Sequence, residues 1–270
     1  MSTELDFESL QRLNADLRRA AETLSPSEIR YLVDAYYQVQ EYRKALANQI
    51  RTTSQAGEPS SVFRWLYDNV ERLEKNIRSA LDAYTDKHPV GRWAKSVKGI
   101  GPVLSAGLLA YIDIEKAPTV GHIWRYAGLD PTCEWKKGEK RPWNASLKRL
   151  CWLIGECFVR VRNRKSDFYG RLFAERKAIE QQKNEAGEYA DQAAEKLRRF
   201  NIGKDTEAYK YYSQGKLPPA HIHERAKRWA VKLFLAHWHE VAYRHHFGKE
   251  PPKPYPIAIL GHTDYIEPPA

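Results

Sequence analysis

A chain of 270 residues, 29% of them charged, with 44 Lys/Arg against 34 Asp/Glu and a net charge of +10, is long enough for one large domain or two modest ones. Its 8 Trp and 16 Tyr exclude a disordered polyelectrolyte, which would lack such aromatics, and no apolar run approaches the roughly 18 residues of a membrane span. No membrane is therefore expected as a partner, and the basic balance points to nucleic acid or an anionic surface.

The opening MSTELDFESL is acidic and has no apolar signal core. Three cysteines (Cys133, Cys151, Cys157) show no paired spacing, which argues for reduced, structural thiols and a cytoplasmic location. Leu10, Leu13, Leu17, Ala21 and Leu24 recur at helical spacing and predict a first amphipathic helix. Ser25-Pro26-Ser27-Glu28 reads as a capping box opening a second. That helix carries Ile29, Leu32, Tyr36, Val39, Leu46 and Ile50 in three-four alternation, with Arg43 interrupting the seam. TTSQAGEPSS (residues 52–61) reads as a loop. Leu66, Val70, Leu73, Ile77 and Leu81 then mark a third helix. The expected fold is all-α. Residues 1–87 form a long antiparallel helical hairpin or coiled coil, whose seam closes either within one chain or across a homodimer through residues 26–85.

Residues 88–247 read as a second helical region. Lys98-Gly99-Ile100-Gly101-Pro102 lies between two short apolar segments. Glycine allows the sharp turn, and Pro102 suits the first position of the helix that follows. The expectation is a helix-hairpin-helix whose amides at Gly99, Ile100 and Gly101, beside Lys98, hold a phosphate. Ala117-Pro118-Thr119 starts a short helix that Gly128 ends, Asp130-Pro131 turns the chain, and Asn144 caps a long helix. Its inward residues are Leu147, Leu150, Ile154, Cys157 and Val161. From Trp135 to Arg176, twelve Lys/Arg face four acids. Lys136, Lys137, Lys140, Arg141, Lys148 and Arg149 are therefore expected to follow a phosphate backbone. Trp135, Trp143 and Trp152 are interleaved with these cations and are expected in the core rather than against bases.

Residues 178–215, poor in large aliphatics, read as a solvent-exposed helical insertion. Residues 220–247 read as a helix with Ile222, Ala226, Trp229, Leu233 and Val241 inward and Arg225, Lys227, Arg228 and Lys232 outward as a second phosphate-contacting face. The tail, 248–270, is proline-rich and extended, with Tyr255, Ile257, Ile259, Leu260, Tyr265 and Ile266 packed across a surface.

Neither a metal site nor a cofactor is expected. His237 and His239 project to different sides of a helix, and no His or Cys pair has zinc spacing. Asp113, Glu115 and Asp130 read as partners for nearby lysines, and Ser146 as a first-turn hydroxyl.

GIGPVLSAGLLAYI, then YAGLDP, then the basic glycine-containing patch, then Asn144-Ala145-Ser146-Leu147-Lys148-Arg149-Leu150 follow one another over residues 95–175. This order resembles the C-terminal helix-hairpin-helix domain of the Piv-invertase and bridge-RNA recombinase insertion-sequence transposases. The resemblance implies nucleic-acid handling, DNA favoured over RNA and double-stranded DNA first, and a coiled coil used for self-association. It also implies a serine shortly after the GLDP block, where this chain reads Lys136-Lys137-Gly138. Nothing in the first 90 residues resembles the family's metal-bearing RuvC-like domain. The implied protein is a nucleic-acid-binding scaffold without catalysis of its own. The alternative is a recombinase subunit that transfers strands with a separate metal-bearing partner.

Overall fold

The computed structural model describes residues 10–57, 61–164, 167–253 and 265–269. Leu10 and Leu13 precede the first helix rather than belonging to it. Their amides donate to the Asn69 and Asn76 side chains at 2.7 and 3.0 Å, in a stretch that is not helical. Asn14 then caps α1 (Ala15–Ala21), accepting from the Leu17 amide. The predicted helix is thus shortened at its front, because side-chain acceptors on a neighbouring helix satisfy the backbone there.

The Ser25 capping box forms in both directions and opens α2 (Pro26–Gln55). This helix runs past Thr52 and Thr53, read as loop, whose hydroxyls bond back to the Asn48 and Gln49 carbonyls at 3.0 Å. Turned onto their own helix, these polar side chains do not break it. It is followed by α3 (Ser61–Lys87), α4 (Pro89–Ser96) and α5 (Pro102–Tyr111).

These five helices make up most of one compact unit, residues 1–96 with 101–113. Its seam closes within the chain at the base, where Ile29 and Val33 meet Ile77, Leu81 and Tyr84. Into the same core α5 brings Val103, Ala106 and Ala110. Arg43, the interruption in the α2 seam, bonds Glu74 of α3 at 2.5 Å, and Gln40 donates to the same carboxylate at 3.3 Å. Burial acts to raise the Glu74 carboxyl, but these bonds outweigh it and hold it below its ordinary value.

The second unit comprises residues 97–100 and 114–270. It contains a short 3-10 turn (Ile114–Lys116), α6 (Val120–Tyr126), α7 (Ala145–Val161), α8 (Tyr169–Glu185), α9 (Ala190–Arg199), α10 (Glu207–Ser213) and α11 (Pro219–Phe247). Phe158 of α7, Tyr169 of α8 and Phe234 of α11 interlock, with ring centroids 4.9 to 5.5 Å apart. The insertion 178–215 is helical and exposed over most of its length, as expected, but it is anchored to the residues that follow it. Tyr189, Leu217 and Ile222 form a small buried cluster, and Asn184 pins Leu217 through both its amide and carbonyl, at 2.8 and 2.9 Å.

Glu180, fully buried, accepts from Arg176 at 2.7 Å, Arg225 at 2.6 Å and the Tyr189 hydroxyl. One carboxylate therefore ties α8, α11 and the start of α9 together. A buried charge persists only with such partners.

Among the described residues the structure is eleven α-helices without a strand, as the periodicity required. No described helix is long and apolar enough to cross a membrane. Of the tail residues read as packed, Tyr255, Ile257, Ile259 and Leu260 lie outside the described residues. Tyr265 donates to Glu240 at 2.6 Å, and the Ile266 carbonyl accepts from His237 at 2.7 Å.

Candidate nucleic-acid interface

Gly99 has a φ of +99°, a left-handed conformation that disfavours any side chain. A methyl added there would lie 3.4 Å from the Cys157 Cβ and 3.5 Å from Val161 Cγ2, so the bend rests on the C-terminal third of α7. Of the three amides read as a phosphate cradle, that of Ile100 is already used, donating to the Val97 carbonyl at 3.0 Å, and its side chain is buried. The amides of Gly99 and Gly101 have no internal acceptor among the described residues. Lys98 is exposed beside them.

The basic loop is built at the other end of α7. Gly128, with φ +66°, terminates α6 in a Schellman-like turn, its amide and that of Leu129 reaching back to the Arg125 and Trp124 carbonyls. The loop is closed where the Asn144 amide bonds the Tyr126 carbonyl at 2.8 Å. Asn144 then caps α7 through the Leu147 amide at 2.8 Å and donates to the Tyr126 hydroxyl at 3.0 Å.

Within the loop, Trp135 donates to the Glu139 carbonyl at 2.8 Å, and the Glu139 carboxylate accepts from the Lys136 amide. The Glu139 carboxylate is thus used by its own turn. Lys136, Lys137 and Lys140 make no ion pair among the described residues and are exposed.

Cations and indoles alternate here. Arg141 lies over Trp135 at 5.3 Å, Trp135 meets Trp143 edge-on at 6.2 Å, and Lys148 lies over Trp143 at 4.1 Å. Partial burial, followed by the like charges of Arg141 and Arg228, holds the Lys148 ammonium below its ordinary pKa. Arg228 comes from α11, so three elements bring positive charge to one place. His221 adds to this, its ring held below its ordinary pKa by burial and then by Lys196 of α9, Arg228 and Arg225.

The predicted site residues fall into two groups. Lys148 and Cys157 are nine positions apart on α7, roughly 14 Å along its axis and half a turn around it. Gly99 rests on the Cys157 side, whereas Arg141 lies with Lys148 on the other, and Lys136, Lys137 and Lys140 belong to the same loop as Arg141. Arg149 lies between these directions.

The outward cations of α11 also divide. Lys227 is buried and bonded to Glu156 and Glu224 at 2.5 Å each, and Arg225 serves Glu180, so both are structural. Lys232 sits over Trp124 at 4.2 Å. Arg228 remains. Nor are the tryptophans all core: Trp135 is 38% exposed and Trp152 54%. Helical spacing placed Trp152 inward, but Lys227 covers one side of its ring at 5.4 Å and leaves the rest open.

Residues 92–169 match the family model of the transposase IS116/IS110/IS902 family. The matched segment runs from within α4 to the first residue of α8 and so contains both the glycine bend and the basic loop. No curated protein and no solved structure matches the chain.

The remaining chemistry-bearing residues are committed elsewhere. His237 joins the Tyr169 hydroxyl at 2.7 Å and the Ile266 carbonyl, and His239 joins the Ala117 carbonyl at 2.8 Å. Asp130 accepts from the amide and hydroxyl of Thr132, which lower its pKa. Glu115 pairs with His246 at 3.2 Å. Cys151 is fully buried, which pushes its thiol up to about 12.

Proposed function

We propose that this is a nucleic-acid-binding protein related to insertion-sequence transposases, one that grips DNA through its phosphates without reading sequence. The observation that carries this is the convergence of Arg141 of the loop, Lys148 of α7 and Arg228 of α11 next to a loop whose Lys136, Lys137 and Lys140 are exposed and make no ion pair among the described residues. Like charges brought together by folding repel at a cost to stability, and a polyanion is the partner that relieves it. Lys136, Lys137 and Lys140 extend the same cationic loop. The open amides of Gly99 and Gly101, with Lys98, form a second and separate phosphate contact of a helix-hairpin-helix kind. Backbone contacts of this sort position a nucleic acid and carry no base information.

Lys136, Lys137, Lys140, Arg141, Lys148 and Arg228 supply six cations. Six phosphate contacts on duplex DNA predict an affinity loss of roughly 10³ between about 50 and 200 mM salt. Fluorescence anisotropy of a labelled duplex over that range tests this, and a flat response sinks it.

The chain's own chemistry supports no catalytic step, since Lys136-Lys137-Gly138 stands where the resembling family has its serine. The match at residues 92–169 favours one further role, a subunit that acts in strand transfer beside a metal-bearing partner. Trapping a covalent protein–DNA adduct with substrate and partner present would establish it, and its persistent absence would refute it.

A further inference from the structure

Two exposed aromatic rings flank one ion pair in the second unit. Arg199, the last residue of α9, reaches Glu134 of the basic loop at 3.3 Å. The next residue on one side is Phe200, 49% exposed; on the other it is Trp135, 38% exposed. Each ring carries cations. Lys196 stands 4.8 Å and Arg199 5.9 Å from the Phe200 centroid, and Arg141 stands 5.3 Å from that of Trp135. A single ring left in water is ordinary on a protein surface, but two rings that flank one ion pair, each with cations over it, make a patch. Their pairing with cations narrows the partner to one that presents flat π-faces and negative charge together. Base pairs inside a duplex stack on one another and offer no face. An unpaired strand offers one at every base.

We infer that the loop patch takes an unpaired nucleic-acid strand, its bases stacking on Trp135 and Phe200 while its phosphates follow Lys136, Lys137, Lys140 and Lys148. This rests on the nucleic-acid reading above and replaces the duplex expected there as the form bound at this patch. It also gives the insertion a purpose: α9, anchored through Tyr189 and Glu180, presents Lys196 and Phe200 beside the loop.

The test is anisotropy with the full chain and three labelled probes of about 16 nucleotides: a DNA strand, the same sequence as RNA, and the DNA duplex. The wild-type protein is expected to bind at least one single strand more tightly than the duplex, and the DNA and RNA arms show which. Trp135→Ala and Phe200→Ala should each weaken single-strand binding about tenfold, the scale of one lost stacking contact, with less than about a twofold change on duplex. Trp135→Phe should recover most of the loss. Reversal of Lys136, Lys137 and Lys140 to Glu should abolish binding to every probe. If the triple reversal abolishes binding but the aromatic variants are neutral, or weaken all probes equally, the single-strand inference falls and the nucleic-acid reading stands. If no probe is bound, or the reversal changes nothing, both fall.

Discussion

Removing the Glu180 carboxylate should loosen the second unit more than almost any other single change. The side chain is 1% exposed, and it receives bonds from Arg176, Arg225 and Tyr189, which belong to three different segments. Glu180→Ala leaves two guanidinium groups facing a cavity. Stranding a fully buried partner costs about 3–5 kcal/mol. Arg176 and Arg225 are 30% and 34% exposed, so each can turn partly to water, which places the expected loss at the lower end, about 3 kcal/mol. For a unit of this size that lowers the melting temperature by roughly 6–12 °C. Glu180→Gln keeps an acceptor for Tyr189 and should cost about half as much.

Acid gives an independent reading of the same group. Burial acts to raise the carboxyl, but Tyr189 and the two arginines outweigh it and depress its folded pKa. Its contribution is therefore complete above the ordinary carboxylate value and is lost as pH falls through the folded one. Thermal melts followed by far-UV circular dichroism, with limited proteolysis of α9 and α10, measure both effects. A Glu180→Ala protein melting within about 2 °C of wild type, with no gain in cleavage there, would refute the reasoning.

Two further substitutions test other parts of the second unit. Gly128→Ala places a methyl 2.9 Å from Trp143 Cγ and 3.0 Å from Lys148 Cδ at a φ of +66°; it should cost about 1–2 kcal/mol in melts and weaken probe binding by displacing Lys148. His237 has only the Ile266 carbonyl as acceptor at Nε2, so its Nδ1 accepts from Tyr169, and burial pushes its pKa down to about 4 from 6.5. Above pH 6.5 the group contributes no pH dependence. Between 6.5 and 4 the unfolded chain binds a proton that the folded one refuses, which removes about 3 kcal/mol by pH 4. His237→Gln should erase that share of acid destabilisation, and melts from pH 7 to 4.5 that run parallel to wild type would contradict it.

What the sequence disclosed was local. Ser25 and Glu28 announced a capping box, Asn144 a helix start and Gly128 a helix end, because each acts within three or four residues. The apolar period fixed helices throughout. Longer-range choices were hidden. Nothing near Arg43 says that it finds Glu74, and although Glu224 lies three positions before Lys227, nothing there says that Glu156 of α7 completes the pair and buries the lysine. The insertion is exposed over most of its length, as its few aliphatics suggest; what stayed hidden is that Tyr189 and the buried Glu180 carboxylate anchor it to Leu217 and α11. A run of lysines identified the loop, and only folding could show that the glycine bend faces another side of α7. The exposure of Trp135 and Trp152 was equally invisible, since large apolar rings are inward on average and periodicity has no way to mark the exceptions.

The route of the backbone limits how this protein can be divided. After Ser96 four residues depart to the second unit, and α5 then returns to the first before the chain leaves again. Truncation at residue 96 would take Val103, Ala106 and Ala110 away from Ile29 and Leu81, leaving an open trough. The stretch 92–169 excised alone would carry an oily α5 without its cover. Neither piece is a transplantable module; the smallest fragment expected to stay soluble with the glycine bend intact must begin no later than α2.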